Sequence, residues 1–64
     1  MVNRADINGW TPLHRACANG NLEMAKLLLV SGAYKHKMDN NRNAPLLYVP
    51  SHRRVEFGKL FEGF

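Results

Sequence analysis

Apolar residues recur every three or four positions in the middle of the chain, which is the spacing of one helix face. Asn21 can accept a hydrogen bond from a backbone N–H of the first turn, and Glu23 suits the positive N-terminal end of a helix. Gly32 is a typical residue just beyond a helix end, because it adopts left-handed backbone angles without strain. The pattern predicts a helix from Leu22 to Val30 whose apolar face consists of Leu22, Ala25, Leu28 and Leu29.

A shorter helix is predicted just before it. Thr11 is a good N-cap, and Pro12 follows at the first helical position, where a missing N–H has no effect. Small Ala16 and Cys17 leave room for a second helix to pack closely. The sequence Asn19-Gly20-Asn21 ends the helix in a tight connection, so we predict a helix over residues 12–19. Residues 3–10 are polar or turn-forming and predict an exposed, irregular extended finger that ends in a turn.

The second half of the chain aligns with the first at an offset of 33 residues, which indicates an internal repeat. The matched pairs are Asp6 with Asp39, Asn8 with Asn41, Pro12 with Pro45, Leu13 with Leu46, Leu22 with Val55, Glu23 with Glu56, Lys26 with Lys59 and Leu27 with Leu60. The departures replace Gly9 with Arg42, Thr11 with Ala44, His14 with Leu47, Cys17 with Pro50 and Gly20 with Arg53. We therefore expect a second unit of the same type that is weaker than the first.

Pro50 is the most severe of these departures. A proline inside a helix removes a hydrogen bond and clashes with the preceding turn, at a cost of about 3 kcal/mol. We expect the helix that begins at Pro45 to end near Tyr48, a link at Ser51 and His52, and a last helix over residues 53–62. The apolar residues of that helix are Val55, Phe57, Leu60 and Phe61.

The first unit closely resembles the ankyrin repeat. It has a finger, the sequence Thr-Pro-Leu-His-x-Ala at residues 11–16, a Gly-containing link, and a longer helix followed by Gly32-Ala33, at the family's period of 33 residues. The resemblance covers residues 6–38 well, and residues 39–64 are similar to a degenerate second repeat. It implies an all-α fold, an ankyrin-repeat solenoid fragment made of two helix-turn-helix units with hairpin-like finger loops.

Two units are fewer than the three or so that such a solenoid usually needs. A domain of about 60 residues is marginal in any case, because it buries only roughly 60% of its unfolded surface. Two interpretations stay open. The chain is a fragment of a longer array, or it completes its core against itself or a partner, with unit 39–64 as a terminating repeat. Self-association through uncapped faces belongs to the second interpretation.

The net charge of +4 lies mainly in the second half of the chain. From Ala33 onward six basic residues accompany three acidic ones, whereas up to Gly32 the numbers are three and two. Cys17 is the only cysteine, which argues against a secreted, disulfide-stapled protein and favours an intracellular setting, cytoplasmic or nuclear. No apolar run approaches the roughly 20 residues of a membrane span, and the N-terminus lacks the apolar core of a signal peptide.

Few residues suggest chemistry. His14 and Cys17 lie three apart on a predicted helix and could form a zinc site with His36 and His52. They could also suggest a Cys/His nucleophile, but no third group orients the histidine. The resemblance instead implies that His14 forms hydrogen bonds within and between finger loops and that Cys17 packs as a small hydrophobe. We therefore predict no enzyme activity, no metal and no cofactor.

The resemblance implies that a protein partner binds the finger tips and the inner face of the first helices. Trp10 is the strongest candidate among the contact residues, since tryptophan is enriched at binding hot spots. The alternative is that Trp10 only covers the neighbouring finger. Ser51 and His52 would follow on the second unit, but Pro50 disturbs that helix. The implied contact positions are Ile7, Asn8, Trp10, Ala18, Asn19, Asn40, Asn41 and Asn43.

The basic excess supports a different hypothesis, a surface that contacts nucleic acid or acidic protein tails. Its residues are Lys35, His36, Lys37, Arg42, Arg53 and Arg54. The simpler interpretation is a solvated surface that keeps a small apolar protein dispersed, and no recognised nucleic-acid-binding motif is present. The sequence thus predicts a noncatalytic protein-interaction module, with nucleic-acid binding as the alternative.

Overall fold

The structure is a computed structural model that describes residues 2–64. This part of the chain folds into α-helices and 3₁₀ helices with no β-strand, so the predicted all-α class is confirmed. Its dimensions are 28 × 23 × 16 Å. In chain order the elements are α1 (Pro12–Ala18), α2 (Leu22–Val30), the 3₁₀ helices η1 (Pro45–Tyr48) and η2 (Ser51–Arg53), and α3 (Arg54–Glu62). We call residues 6–38 unit 1 and residues 39–64 unit 2.

The helices of unit 1 begin at the predicted caps. The Thr11 Oγ1 accepts a hydrogen bond from the His14 backbone N–H at 3.4 Å, and the Asn21 Oδ1 accepts one from the Met24 N–H at 3.1 Å. Helix α2 has the predicted bounds. Helix α1 ends one residue earlier than predicted, because Asn19 is its C-cap and donates its N–H to the Arg15 carbonyl at 3.0 Å.

Unit 2 departs from regular helix geometry around Pro50, as its sequence predicts. Helix η1 ends at Tyr48, which confirms the predicted stop. The expected link at Ser51 and His52 is wrong in detail, because these residues start the 3₁₀ helix η2 and α3 then begins at Arg54. Pro50 lacks an N–H but keeps its carbonyl, which accepts a hydrogen bond from the Arg53 N–H at 2.9 Å and closes the tight turn.

The hydrophobic core lies where the two units meet. Unit 1 contributes mostly small or aliphatic residues, and unit 2 contributes two large aromatic ones. Phe57 has no exposed surface, whereas Val55, on the same helix, is 72% exposed and faces solvent. Neither unit forms this core alone, so each unit depends on the other. The buried residues are Leu13, Ala16, Cys17, Ala25 and Leu29 from unit 1, and Val49, Phe57 and Phe61 from unit 2.

Two glycines provide a matched test of backbone conformation. Apart from chain neighbours and the backbone of the same helix, no atom of the described residues lies within 4 Å of a Cβ built on Gly58 or on Gly32. Gly58 is inside α3, whereas Gly32 has a φ of +95°. We expect Gly58→Ala to raise the free energy of unfolding by roughly 0.4–1 kcal/mol, since alanine loses less chain entropy on folding. Gly32→Ala should lower it by about 1 kcal/mol, because its φ strains any L side chain. Urea unfolding followed by circular dichroism measures the free energy of unfolding of both variants. Equal changes in the two variants would contradict the difference in backbone conformation between Gly58 and Gly32.

Candidate protein-interaction surface

The first finger is a tight loop organised by Asp6. The Asp6 Oδ1 accepts hydrogen bonds from the backbone N–H groups of Asn8 and Trp10, both at 2.9 Å. The Asp6 N–H donates to the Trp10 carbonyl at 2.9 Å, and the Gly9 N–H donates to the Asp6 carbonyl at 2.9 Å. Gly9 has a φ of +79°, which explains the glycine at this position. These bonds hold the finger in one conformation.

The second finger repeats this loop 33 residues later, as the alignment of Asp39 with Asp6 predicts. The Asp39 Oδ1 accepts hydrogen bonds from the N–H groups of Asn41 and Asn43, at 2.8 and 2.9 Å. Arg42 takes the place of Gly9 and adopts the same left-handed conformation, with a φ of +62°. The loop therefore persists without its glycine, although an arginine there is strained by roughly 1–2 kcal/mol.

The two fingers are joined near their tips through Asn40. Its backbone N–H donates to the Asn8 carbonyl at 3.1 Å, and its side-chain Nδ2 donates to the Ile7 carbonyl at 2.9 Å. The approach is so close that a Cβ on Gly9 would lie 2.6 Å from the Asn40 Oδ1. The fingers therefore form one surface, not two independent loops.

His14 connects the helices of unit 1 to the second finger. Its Nδ1 accepts the Thr11 N–H at 3.1 Å, so the Nε2 carries the proton and donates to the Asn43 carbonyl at 2.9 Å. The imidazole has no exposed surface. The hydrogen bonds within and between fingers that the resemblance implied for His14 are present.

Trp10 lies in the seam between the two units and is half-buried. Its Nε1 donates to the Asp39 Oδ2 at 3.0 Å, and its ring centroid lies 4.8 Å from that of Tyr48. The ring also stacks on His14 at 6.1 Å. Trp10 thus covers the neighbouring finger, which is the alternative interpretation given above. Its contact with a partner stays a prediction. Tyr48, which no sequence pattern indicated as part of this surface, also donates a hydrogen bond to the Asp39 Oδ2.

Asp39 is buried in the seam, with 6% of its surface exposed. Desolvation by itself would raise the pKa of the Asp39 carboxyl. Hydrogen bonds from the Tyr48 hydroxyl, the Asn43 and Asn41 backbone amides and the Trp10 indole outweigh desolvation and lower the pKa to about 2. The folded chain therefore holds Asp39 ionised at neutral pH.

This pKa predicts an acid-sensitive seam. A carboxyl whose pKa is lower when folded contributes stability above its unfolded pKa of about 3.8, and this stability is lost as the pH falls towards about 2. Tyr48→Phe removes the largest of the interactions that lower the pKa. The variant therefore has less stabilisation from Asp39 above pH 3.8, and it should unfold at a higher pH than the unmodified chain as acid is added. Trp10 fluorescence measured against pH reports this acid transition. Tyr34→Phe, at a side chain that is 64% exposed, should leave the transition unchanged.

The structure brings together most of the predicted contact residues. The finger residues Ile7, Asn8, Trp10, Asn40 and Asn43 are linked by the hydrogen bonds above, and Ile7 is 91% exposed. Asn41 is exposed on the second finger. Ala18, half-buried, and Asn19, exposed, lie at the end of α1, and no hydrogen bond joins either of them to the finger tips.

Residues 8–40, which include both helices of unit 1, have counterparts in known proteins. A family model of the ankyrin repeat matches residues 8–40, which is just over half of the chain. The chain belongs to the ankyrin repeat family. The matched ankyrin unit begins within the first finger and ends at Asn40, so it includes α1, α2 and the start of the second finger.

Two relatives extend the similarity of this ankyrin chain. It is 52% identical over 44 residues to the potassium channel AKT1 of Oryza sativa subsp. indica, covering 69% of this chain and 5% of the channel. It is 33% identical over 63 residues to the protein phosphatase 1 regulatory subunit 27 of Homo sapiens, covering 97% of this chain and 40% of that protein. The chain thus spans less than half of either relative.

The possible zinc ligands do not meet in this ankyrin fold. His14 and Cys17 have no exposed surface, whereas His36 and His52 are exposed. Within residues 2–64, no three His, Cys, Asp or Glu side chains are placed to hold a metal ion. Burial raises the pKa of the Cys17 thiol to about 12, so the reactive thiolate is suppressed at neutral pH.

Three of these six basic residues make contacts within the chain. The Lys35 Nζ donates to the Phe61 carbonyl at 3.0 Å, at the C-terminal end of α3 where a cation is stabilising. The Arg53 Nε lies 3.6 Å from the Glu56 Oε1, and Arg54 donates to the Val49 carbonyl at 3.5 Å. These contacts give the cations structural roles and do not favour a phosphate-binding face. Among the helices of the described chain, none has the length and apolar character that crossing a membrane requires.

Proposed function

We propose that this ankyrin pair is a noncatalytic protein-interaction module whose partner contacts the joined fingers and the inner face of α1. Ankyrin repeats are in general protein–protein interaction modules, and stacked repeats offer an extended concave surface to a partner. The proposed contact residues are Ile7, Asn8, Trp10, Ala18, Asn19, Asn40, Asn41 and Asn43.

The observation that supports this proposal best is the environment of Ile7. Its side chain is 91% exposed at a finger tip whose backbone is held by Asn40 from the neighbouring finger. A large aliphatic side chain on a pre-ordered loop can bury its surface in a partner with little loss of loop entropy. Asn8 and Asn41 are both exposed on the fingers, and their amide side chains can supply polar contacts around Ile7.

Two exposed aliphatic residues allow a matched test. A protein partner is selected with the unmodified chain, and its affinity is measured by isothermal titration calorimetry for Ile7→Arg and Val30→Arg. Val30 is 65% exposed at the C-terminal end of α2 and is not among the proposed contact residues. We expect Ile7→Arg to weaken binding at least tenfold, about 1.4 kcal/mol, and Val30→Arg to leave it unchanged. Binders that lose affinity only with Val30→Arg would contradict the proposed surface.

The family also supports action by binding instead of catalysis. Ankyrin repeat proteins are generally non-catalytic, and the human relative is named as a regulatory subunit of a protein phosphatase. A cytoplasmic or nuclear location fits the chain's single cysteine, Cys17, which has a free thiol. Microscopy of the full chain fused to a fluorescent protein tests this location, and a signal in the secretory pathway would contradict it.

A further inference from the structure

The outer face of unit 1 is the side turned away from unit 2. Its residues correspond, at an offset of 33, to the residues through which unit 2 packs onto unit 1. Adding 33 to Ala16, Met24 and Leu28 gives Val49, Phe57 and Phe61, which are 2%, 0% and 4% exposed in the core. On unit 1 the corresponding side chains line an open groove of about 590 Å³, and Met24 is 43% exposed. One face is therefore covered in unit 2 and uncovered in unit 1.

The polar edge of this groove repeats the seam as well. In the seam, the Asp39 Oδ2 accepts hydrogen bonds from Tyr48 and from the Trp10 indole of the other unit. At the groove, Arg15 stands in the register of Tyr48, and its guanidinium lies 3.4 Å from the Asp6 Oδ2. The Asp6 carboxylate, 38% exposed, is thus an acceptor for a donor that a neighbouring unit would supply.

The outer face of unit 2 has lost the features that hold the seam together. Arg42 replaces Gly9, where even a Cβ would lie 2.6 Å from the Asn40 Oδ1 of an adjoining finger and 2.7 Å from its backbone N. Glu62, which is exposed, replaces the buried Leu29. Leu47, 56% exposed, replaces the His14 that donates to the next finger.

We propose that the two outer faces are unequal: the groove on unit 1 binds an ankyrin-type helix pair, and the outer face of unit 2 is closed to one. The occupant presents a glycine in its finger, small or aliphatic side chains, and a donor aimed at Asp6, as unit 1 does towards unit 2. A second copy cannot stack head to tail, because it would present Arg42, Leu47 and Glu62 to the groove.

Two tandem chains made from the protein's own sequence test this polarity. One carries an extra copy of residues 1–33 ahead of the full chain, and the other carries an extra copy of residues 32–64 after it, so both keep the 33-residue register. Unfolding in urea is followed by circular dichroism for both and for the 64-residue chain. We expect the N-terminal addition to raise the midpoint and to raise the m-value roughly 1.5-fold, because one cooperative unit then buries more surface. The C-terminal addition should change neither value.

Substitutions separate stacking from the mere presence of added chain. Met24→Lys, in the copy next to unit 2, should abolish the gain from the N-terminal addition while leaving the 64-residue chain unchanged, since Met24 is exposed there. Arg42→Gly, Leu47→His and Glu62→Leu are combined in the original unit 2, next to the added copy. With these substitutions, the C-terminal addition should raise the urea midpoint and the m-value. Equal gains from both unsubstituted additions, no gain from the N-terminal one, or head-to-tail oligomers of the 64-residue chain in sedimentation would each overturn the proposal.

Discussion

Phe57→Ala is expected to unfold the chain at 25 °C. Phe57 is the largest side chain with no exposed surface, and it comes from the unit with fewer regular helical residues. Truncating a buried phenylalanine lowers the free energy of unfolding by about 3–5 kcal/mol. A core in a chain of this size rarely supplies more than about 3–5 kcal/mol in total, so little stability would remain. Far-UV circular dichroism should show loss of most of the helical signal of the chain, to which both units contribute.

A second phenylalanine controls for composition. Phe64 lies at the end of the chain and is 48% exposed, so Phe64→Ala should change the free energy of unfolding by less than about 0.5 kcal/mol. If Phe57→Ala kept its helical signal and lost it at the same urea midpoint as the unmodified chain, unit 1 would fold without the core that it shares with unit 2.

His14→Ala is the second large effect that we expect. The substitution removes a buried ring and leaves the Thr11 N–H without its acceptor, while the Asn43 carbonyl loses the donor that joins it to unit 1. A cavity and an unpaired buried group together lower the free energy of unfolding by about 2–4 kcal/mol. The urea midpoint should fall well below that of the unmodified chain, and the Trp10 fluorescence should change because Trp10 stacks on His14.

The other histidines provide the comparison for His14→Ala. His36 and His52 are both exposed, and alanine at either position should leave the urea midpoint within error of the unmodified chain. A His14→Ala variant as stable as these two would remove His14 from the seam between the units.

Local chemistry was enough to predict unit 1 from the sequence. The N-caps Thr11 and Asn21, the apolar spacing of α2 and the glycine just beyond its end each act within a few residues, so the α2 bounds follow directly. The stop of η1 before Pro50 is equally local, because the missing N–H excludes a regular helix there.

The seam between the units was harder to predict, because its contacts join residues far apart in the chain. Trp10 and Asp39 are 29 positions apart, and only the stacked fold brings the indole N–H to the carboxylate. Tyr48 has no counterpart in unit 1, where Arg15 takes its register, so the repeat gave no signal for its role. The partner cannot be predicted from either unit, since exposed finger residues show where contact is possible and not which protein makes it.

The two units pack as one body through the seam formed by Trp10, Asp39 and Tyr48. Nuclear Overhauser effects in the 64-residue chain can detect this packing, since the Trp10 and Tyr48 ring centroids lie only 4.8 Å apart. We expect cross-peaks between the Trp10 and Tyr48 ring protons and slow solvent exchange of the Asn40 amide, which donates to Asn8. If unit 2 gave sharp random-coil resonances without those cross-peaks while unit 1 gave dispersed resonances, the two units would not pack as one body.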